Sequence, residues 1–351
     1  MTKIKCAIFS AFLFLLVQLP VGAHVKWFLS KSEQALLLQS KPTLFTSLGW
    51  ENVSVMLLAG TAFYIAWLAN QRLRQIQISR KLQALCPKWD ALISLLINVS
   101  TGLMLIKCSS DMTFMVPNLH LHPCCMWIAQ AEALIGAGLI LGFLTRACGA
   151  AMLFLLCWSF VKFSIGDCID LTPMYGLALY ALLAGRGKWS VDFGLGLTHE
   201  TDPFLPNLAY LCLRVALGIG LISLGLDEKI LNPQLALDLL QHAPGLNCLQ
   251  SLGMNNELFV LCSGATEIVL GLMLTFGVFP RTAALALLSL FVATTAIFGV
   301  TEFVGHLPYY GMILIIVLKG TAQLDFGSIR LKALLLRHAL DKSLVPLAEL
   351  R

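Results

Sequence analysis

Ionisable residues interrupt the apolar runs of this chain at recurring positions. Glu132 and Glu267 lie 135 residues apart, as do Asp167 and Glu302, and His306 follows Glu302 by four. Carboxyl and imidazole groups in apolar surroundings can accept and release protons, and the surroundings tune the pH at which they do so. Glu267 falls about nine residues below the expected outer end of its helix, roughly 13 Å deep at ~1.5 Å per residue. Glu132 matches it. A charge at that depth is costly unless it is paired, neutralised or wetted. Two readings compete for these acids: a site that exchanges protons with a membrane-soluble redox carrier or a translocation path, and a buried hydrogen bond that locks helices together.

Asp167 and Glu302 stand at the expected outer ends of their helices. Glu302 and His306 share the four-residue spacing that places two side chains on one helical face, although Gly305 and Pro308 argue for a bend there. Such a pair can bind a metal or shuttle protons, and its ordinary role is a local ion pair. Leu171 occupies the position matching His306, so the histidine acts in one half only. The segment His120-x-His122-Pro123-Cys124-Cys125 offers soft ligands suited to copper or zinc. It lacks paired Cys-x-x-Cys spacing, and a disulfide from Cys124 or Cys125 to Cys108, Cys168 or Cys248 is the favoured reading over a metal site.

The 135-residue offset runs without a gap through more than the acids. Gly136 recurs as Gly271, Gly142 as Gly277, Arg146 as Arg281, and Pro173-x-Tyr175-Gly176 as Pro308-x-Tyr310-Gly311. A fixed period indicates a duplicated unit. Each arginine lies fourteen residues beyond its glutamate, about 21 Å along an ideal helix, too far to pair with it. Their expected role is to snorkel to the interface at a helix–helix turn.

The elements that must position these residues are membrane helices. Hydrophobic residues make up 58% of the 351, charged residues 12%, and mean hydropathy is +0.81, which excludes an ordinary soluble domain. Nine spans are predicted near 51–69, 90–107, 127–145, 147–165, 169–185, 207–225, 258–278, 281–300 and 307–321. Residues 1–23 have the build of a secretory signal peptide, with Lys3 and Lys5 ahead of an apolar run and small residues before His24. Residues 24–50 read as an external arm able to lie in the membrane interface, and 51–69 as an extra span. Basic residues in the 70–89 loop, at Arg146, Arg186 and Arg281, and in the 322–351 tail agree on one topology, with the mature N-terminus outside and the C-terminus cytoplasmic. The net charge of +5 is thereby a topology signal, with no indication of nucleic-acid binding. The fold expected is all-α, two parallel four-helix transmembrane bundles at 90–190 and 207–321 plus one extra N-terminal transmembrane helix.

The pattern Glu-x3-Gly-x5-Gly-x3-Arg, present at Glu132 and again at Glu267, resembles the DoxX/DoxD-like integral membrane family, as does Asp227-Glu228-Lys229-Ile230-Leu231-Asn232-Pro233. The resemblance is best over 207–320 and weaker over 90–190, where the counterpart of 227–233, near 92–98, is ordinary helix. It implies four-helix membrane units, some of them subunits of thiosulfate:quinone oxidoreductase, others associated with redox stress or cofactor maturation, and it transfers no catalytic residue. The expected function is a redox-associated, quinone-interacting subunit of a bacterial inner-membrane complex, an oxidoreductase subunit if it is part of an enzyme. Its site would be built on Glu267, Glu302 and His306, with Glu132 and Asp167 as the degenerate twin. No flavin, haem or iron–sulfur motif is visible, so electrons would come from a soluble or membrane redox partner protein. A small-solute or metal-ion transporter and a non-catalytic assembly or maturation factor are the alternatives.

Overall fold

The computed structural model describes residues 25–27, 29, 31–39, 50–73, 79–197, 204–247 and 249–320; the signal peptide expected at 1–23, the 322–351 tail, His24 and Cys248 lie outside them. The described residues are helical throughout, apart from loops and one isolated bridge between Thr113 and His120. Among the described residues seven helices are long and apolar enough to cross a membrane, and two shorter apolar helices, Thr172–Ala184 and Phe303–Lys319, fall where the fifth and ninth spans are predicted. Lipid offers no partner to the backbone, so helices are the form such sequence takes there.

In chain order the helices are α1 (Lys31–Gln39), α2 (Trp50–Leu73), α3 (Ser79–Ser110), α4 (Met126–Leu141), α5 (Thr145–Lys162), α6 (Ile165–Asp170), α7 (Thr172–Ala184), α8 (Val191–Gly194), α9 (Phe204–Gly225), α10 (Pro233–His242), α11 (Asn256–Phe276), α12 (Pro280–Phe298) and α13 (Val300–Lys319). The expectation of two separate bundles is corrected by their packing. Successive long helices from α3 to α13 pack side by side, α7 packs extensively on α9, and α13 returns to α3, closing one ring. The fourth helix of each predicted unit thus packs on the first helix of the other. One apolar core runs from Ile93 on α3 to Ile316 on α13. Helix α2 packs on α11 from outside the ring, and its apolar side chains, Leu57 and Leu58 among them, are exposed where lipid would cover them.

Most of the residues that recur at 135 serve this packing. Gly142 and Gly277 end α4 and α11 in the left-handed region at φ 66° and 68°, a conformation that costs glycine little. Leu144 and Phe279, two residues on, are left-handed as well. Gly136 and Gly271 let helices touch through backbone: an added Cβ would stand 2.7 Å from Gly102 O in one half and 2.6 Å from Gly218 O in the other. Gly176 faces Ala216 and Leu213 on α9, and Gly311 faces Ile97 and Ser100 on α3, so each marks a crossing between halves. Tyr175 donates to Leu156 O at 2.8 Å, and Tyr310 shares a 2.8 Å hydrogen bond with the Thr295 hydroxyl.

The matching glycines also realign the first helix of each half. Gly102 pairs with Gly136 as Gly218 pairs with Gly271, an offset of 116 rather than 135. The counterpart of Asp227 is therefore Asp111 rather than a residue near 92–98, because the connection after α9 is 19 residues longer than that after α3 (135 less 116). Arg281 stands at the start of α12, just after the helix–helix turn expected there. It donates to Val317 O and Leu318 O, both at 3.0 Å, capping the last turn of α13, where a cation opposes the helix dipole. Arg186 does the same for α4 through Leu139 O at 3.3 Å and Ile140 O.

Candidate functional site

The ionisable residues that are buried together gather at the end of the ring opposite these arginines. Helix α9 does not stop at Gly225; it widens into a π-helical turn over Leu226–Leu231, and Asn232 N–H reaches back five residues to Asp227 O at 3.0 Å. Such turns shift the register of every following side chain. Here the shift sets the Lys229 Cβ against Gly264, where an added Cβ would be only 2.9 Å away. With that path open, the Lys229 ammonium reaches both oxygens of Glu267, at 2.8 and 2.7 Å. Both side chains are excluded from solvent, at 0% and 1% exposure.

Above this pair lies a second, wetter one. Lys26 bridges Asp170 at 2.9 Å and Asp227 at 2.5 Å, with side-chain exposures of 9%, 10% and 34%. Ser223 Oγ donates to the other Asp170 oxygen at 3.3 Å, and Asn232 Nδ2 to the other Asp227 oxygen at 3.0 Å. Burial works against the charge on Lys26, yet Asp170, Glu228 and Asp227 together outweigh it and hold its pKa above the usual lysine value. Burial pushes the Asp170 carboxyl up, against the opposing pull of Lys26. Glu228, with no exposed surface, accepts Val25 N–H on Oε2 at 2.6 Å, and its Oε1 has no hydrogen-bond partner among the described residues. Four carboxylates (Asp170, Asp227, Glu228, Glu267) thus meet two ammonium groups (Lys26, Lys229), two acids in excess.

The arm at 24–50 was expected in the membrane interface. Instead Val25–Trp27 inserts into this end of the ring, with Val25 fully buried among Leu235, Leu239 and Phe259. Trp27 lies over the His306 ring, centroids 4.8 Å apart, and Phe291 packs against the same ring at 4.5 Å. His306 is 1% exposed, so it faces aromatic side chains inside the ring of helices. Helix α13 runs through both Gly305 and Pro308, so His306 stands on a helix and not on a turn. Glu302 lies in the first turn of α13, with its side chain outside the described residues.

The first half is built differently. Glu132 is wholly buried and accepts Met115 N–H at 3.1 Å on Oε1, while Oε2 has no hydrogen-bond partner among the described residues. Thr113 stands at the position matching Lys229, and among the described residues no ammonium bonds to the glutamate. The donor comes from a loop folded into the mouth of this half, with Phe114 and Met115 at 0% exposure and Met112 and Met115 at φ 54°. Glu132→Gln keeps the accepting oxygen and is expected to change stability by about 1 kcal/mol or less, while Glu132→Leu strands the buried N–H and costs about 1–3 kcal/mol. Thermal unfolding in lipid nanodiscs distinguishes the two. Asp167 stays outside any such cluster and accepts from Ser164 Oγ at 2.8 Å within its own turn; Asp170, three residues on, takes the buried position.

His120, His122 and Cys124 are exposed, and His122 Nδ1 lies 3.1 Å from Cys124 Sγ. No three His, Cys, Asp or Glu side chains converge on a metal position among the described residues. The disulfide favoured from sequence does not form with Cys108 or Cys168; both are free thiols, and Cys168 Sγ contacts Ser159 Oγ at 3.4 Å. Cys124 and Cys125 are unbridged, their sulfurs 3.7 Å apart. A cavity of about 300 Å³ lies elsewhere, at the far end, lined by Trp67, Asn70, Gln71, Phe276 and Val278.

Helices α9, α11 and α12, with the π-helical turn and α10 between the first two, make up the stretch 209–300 that matches the DoxX family model. Residues 209–300 are a DoxX domain. No curated protein and no solved structure matches the chain. The DoxX domain contains Asp227, Glu228, Lys229 and Glu267, while Lys26, Asp170 and His306 come from outside it, so the buried cluster is completed by three other parts of the chain. Sequence reading singled out Glu267 and His306 but passed over Lys229 and Lys26 as partners. The signal available was a lysine between two acids and an apolar run, which has to find a buried counter-ion if its helix continues.

Proposed function

We propose that this DoxX-domain membrane protein is a redox-associated subunit whose acids at the Lys26 end exchange protons with a quinone as its oxidation state changes. The positive-inside pattern supports a reading with that end outside a bacterial inner membrane and the C-terminus cytoplasmic. The observation that carries the reading is the excess of two carboxylates over ammonium groups in a buried cluster. Buried negative charge without a counter-ion is balanced most simply by bound protons. A quinone reduced by two electrons takes two protons on its carbonyl oxygens; the electrons come from a partner protein. Glu267 and Glu228 are the acids placed to exchange those protons, Lys229 holds Glu267 in position, and Glu302 and His306 stand on the adjoining helix. Glu132 and Asp167 are the corresponding acids of a diverged copy. Support for duplication lies in the matched glycine contacts and left-handed caps of the two halves.

The closeness of the Lys229–Glu267 pair also favours a second reading, a non-catalytic assembly or maturation subunit in which the pair only ties α9 to α11. Quinones and metals retained by the purified protein separate the readings. Quinone is expected with wild type and at least about tenfold less per folded molecule with Glu267→Gln, a loss of roughly 1.4 kcal/mol of binding. Stoichiometric metal without quinone would point to metal handling. Absence of both, with a partner complex lost on deletion but restored by the double variant Lys229→Met with Glu267→Leu, which keeps α9 on α11 without an acid, would establish the structural reading.

A further inference from the structure

The segment Val25–Trp27 reaches the buried cluster from a part of the chain with no role in the ring itself. It is held by four different kinds of contact. Val25 N–H donates to Glu228 at 2.6 Å, Lys26 bridges Asp170 and Asp227, Trp27 covers His306, and Gln34 of α1 donates to Lys26 O and Leu29 O at 2.8 and 2.9 Å. Gly305 leaves the space Trp27 fills: a Cβ there would stand 2.7 Å from the indole ring. Of the cluster's ionisable side chains, Asp227 keeps the largest exposed fraction, and Lys229 and Glu267 beneath it have almost none.

We infer that residues 25–27 form a lid over the Lys229–Glu267 pair, latched by the Lys26 ammonium between Asp170 and Asp227, and that mild acid releases it. The inference rests on the Lys26-end cluster being the working site and adds how access to it is controlled. The charged and titratable groups facing the latch are Asp170, with Asp167 acting on it from the same turn, on α6; Asp227, Glu228 and Lys229 on the π-helical turn; Glu267 on α11; and His306 and Tyr309 on α13. Acid acts on the latch by protonating Asp170, which removes the negative charge that the Lys26 ammonium bridges. Burial pushes the Asp170 carboxyl upward, toward milder acidity, against the opposing pull of Lys26.

Hydrogen exchange of the 25–27 segment, measured by mass spectrometry in nanodiscs and corrected for intrinsic pH dependence, tests the lid without any quinone. The proposal on function can therefore fail separately. Wild type is expected to be protected at neutral pH and to lose protection in mild acid. Lys26→Met removes the charged hydrogen bonds and should speed exchange roughly 10- to 100-fold at neutral pH. Gly305→Ala should open the lid with every charge intact and with a helix-favouring residue, so a folding failure of the lysine variant does not block the test. Asp170→Asn should flatten the acid dependence. A 25–27 segment that exchanges freely in wild type at neutral pH, or stays protected in Gly305→Ala, or retains the acid response in Asp170→Asn, would overturn the lid.

Discussion

Lys229→Met is expected to destabilise the protein by about 3–5 kcal/mol, because it leaves the Glu267 carboxylate buried without its cation. The wild-type pair is not expected to be worth that much on its own account, since desolvating both charges offsets most of their attraction. The asymmetry gives a sharper form of the prediction. The double variant Lys229→Met with Glu267→Leu removes both charges and should recover most of the loss, within about 1–2 kcal/mol of wild type, allowing for imperfect repacking. Unfolding in mild detergent, followed by tryptophan fluorescence or resistance to SDS, measures all three proteins. Equal losses for the single and double variants would show that the pair lacks the buried geometry of 2.7–2.8 Å contacts at 0–1% exposure.

Gly271→Leu should cost about 3 kcal/mol or more, at the upper end of overpacking effects. The first atom of the new side chain would already stand 2.6 Å from Gly218 O and 2.7 Å from Ile222 Cγ1, and the first of these is backbone that cannot swing aside. Membrane helices gain little from the hydrophobic effect against each other, so close approach through small residues supplies much of their attraction. Gly136→Leu meets Gly102 O at 2.7 Å and should behave alike in the other half. A Cβ added at Gly60 on α2 would meet nothing within 4 Å beyond its own helix among the described residues, and Gly60→Leu should change stability by about 0.5 kcal/mol or less. The same unfolding assay ranks these variants, and a costly Gly60→Leu with a neutral Gly271→Leu would contradict the packing described.

What the sequence disclosed followed from physics that acts locally. Long apolar windows located the helices, because the cost of unpaired backbone in lipid leaves no other option. The recurring glycines and Pro-x-Tyr-Gly marked real contacts, although their spacing alone did not tell a helix crossing from a ligand site. Three features escaped because each depends on distant parts of the chain meeting. The ring closes through α7 on α9 and α13 on α3, and nothing in either sequence states its partner. The match of Asp227 with Asp111 was hidden by the 19 residues added between α9 and α11. The insertion of Val25–Trp27 reverses what its Trp and Lys suggest, since the same residue types favour an interface when no acidic socket awaits them. Glu267 was legible as an expensive acid, while its solution, a lysine delivered by a π-helical turn against Gly264, was not.

The opposite-end cavity offers a rival place for an aromatic carrier, since Trp67 and Phe276 line it with the amides Asn70 and Gln71. Photo-crosslinking with an azido-quinone, followed by peptide mapping, decides between the two ends. Adducts on the π-helical turn and the outer half of α11, suppressed by excess unlabelled quinone and by Glu267→Gln, are the predicted result. Competable adducts confined to Trp67 and Phe276, or labelling that unlabelled quinone does not suppress anywhere, would contradict a proton-exchanging quinone site at the Lys229–Glu267 pair.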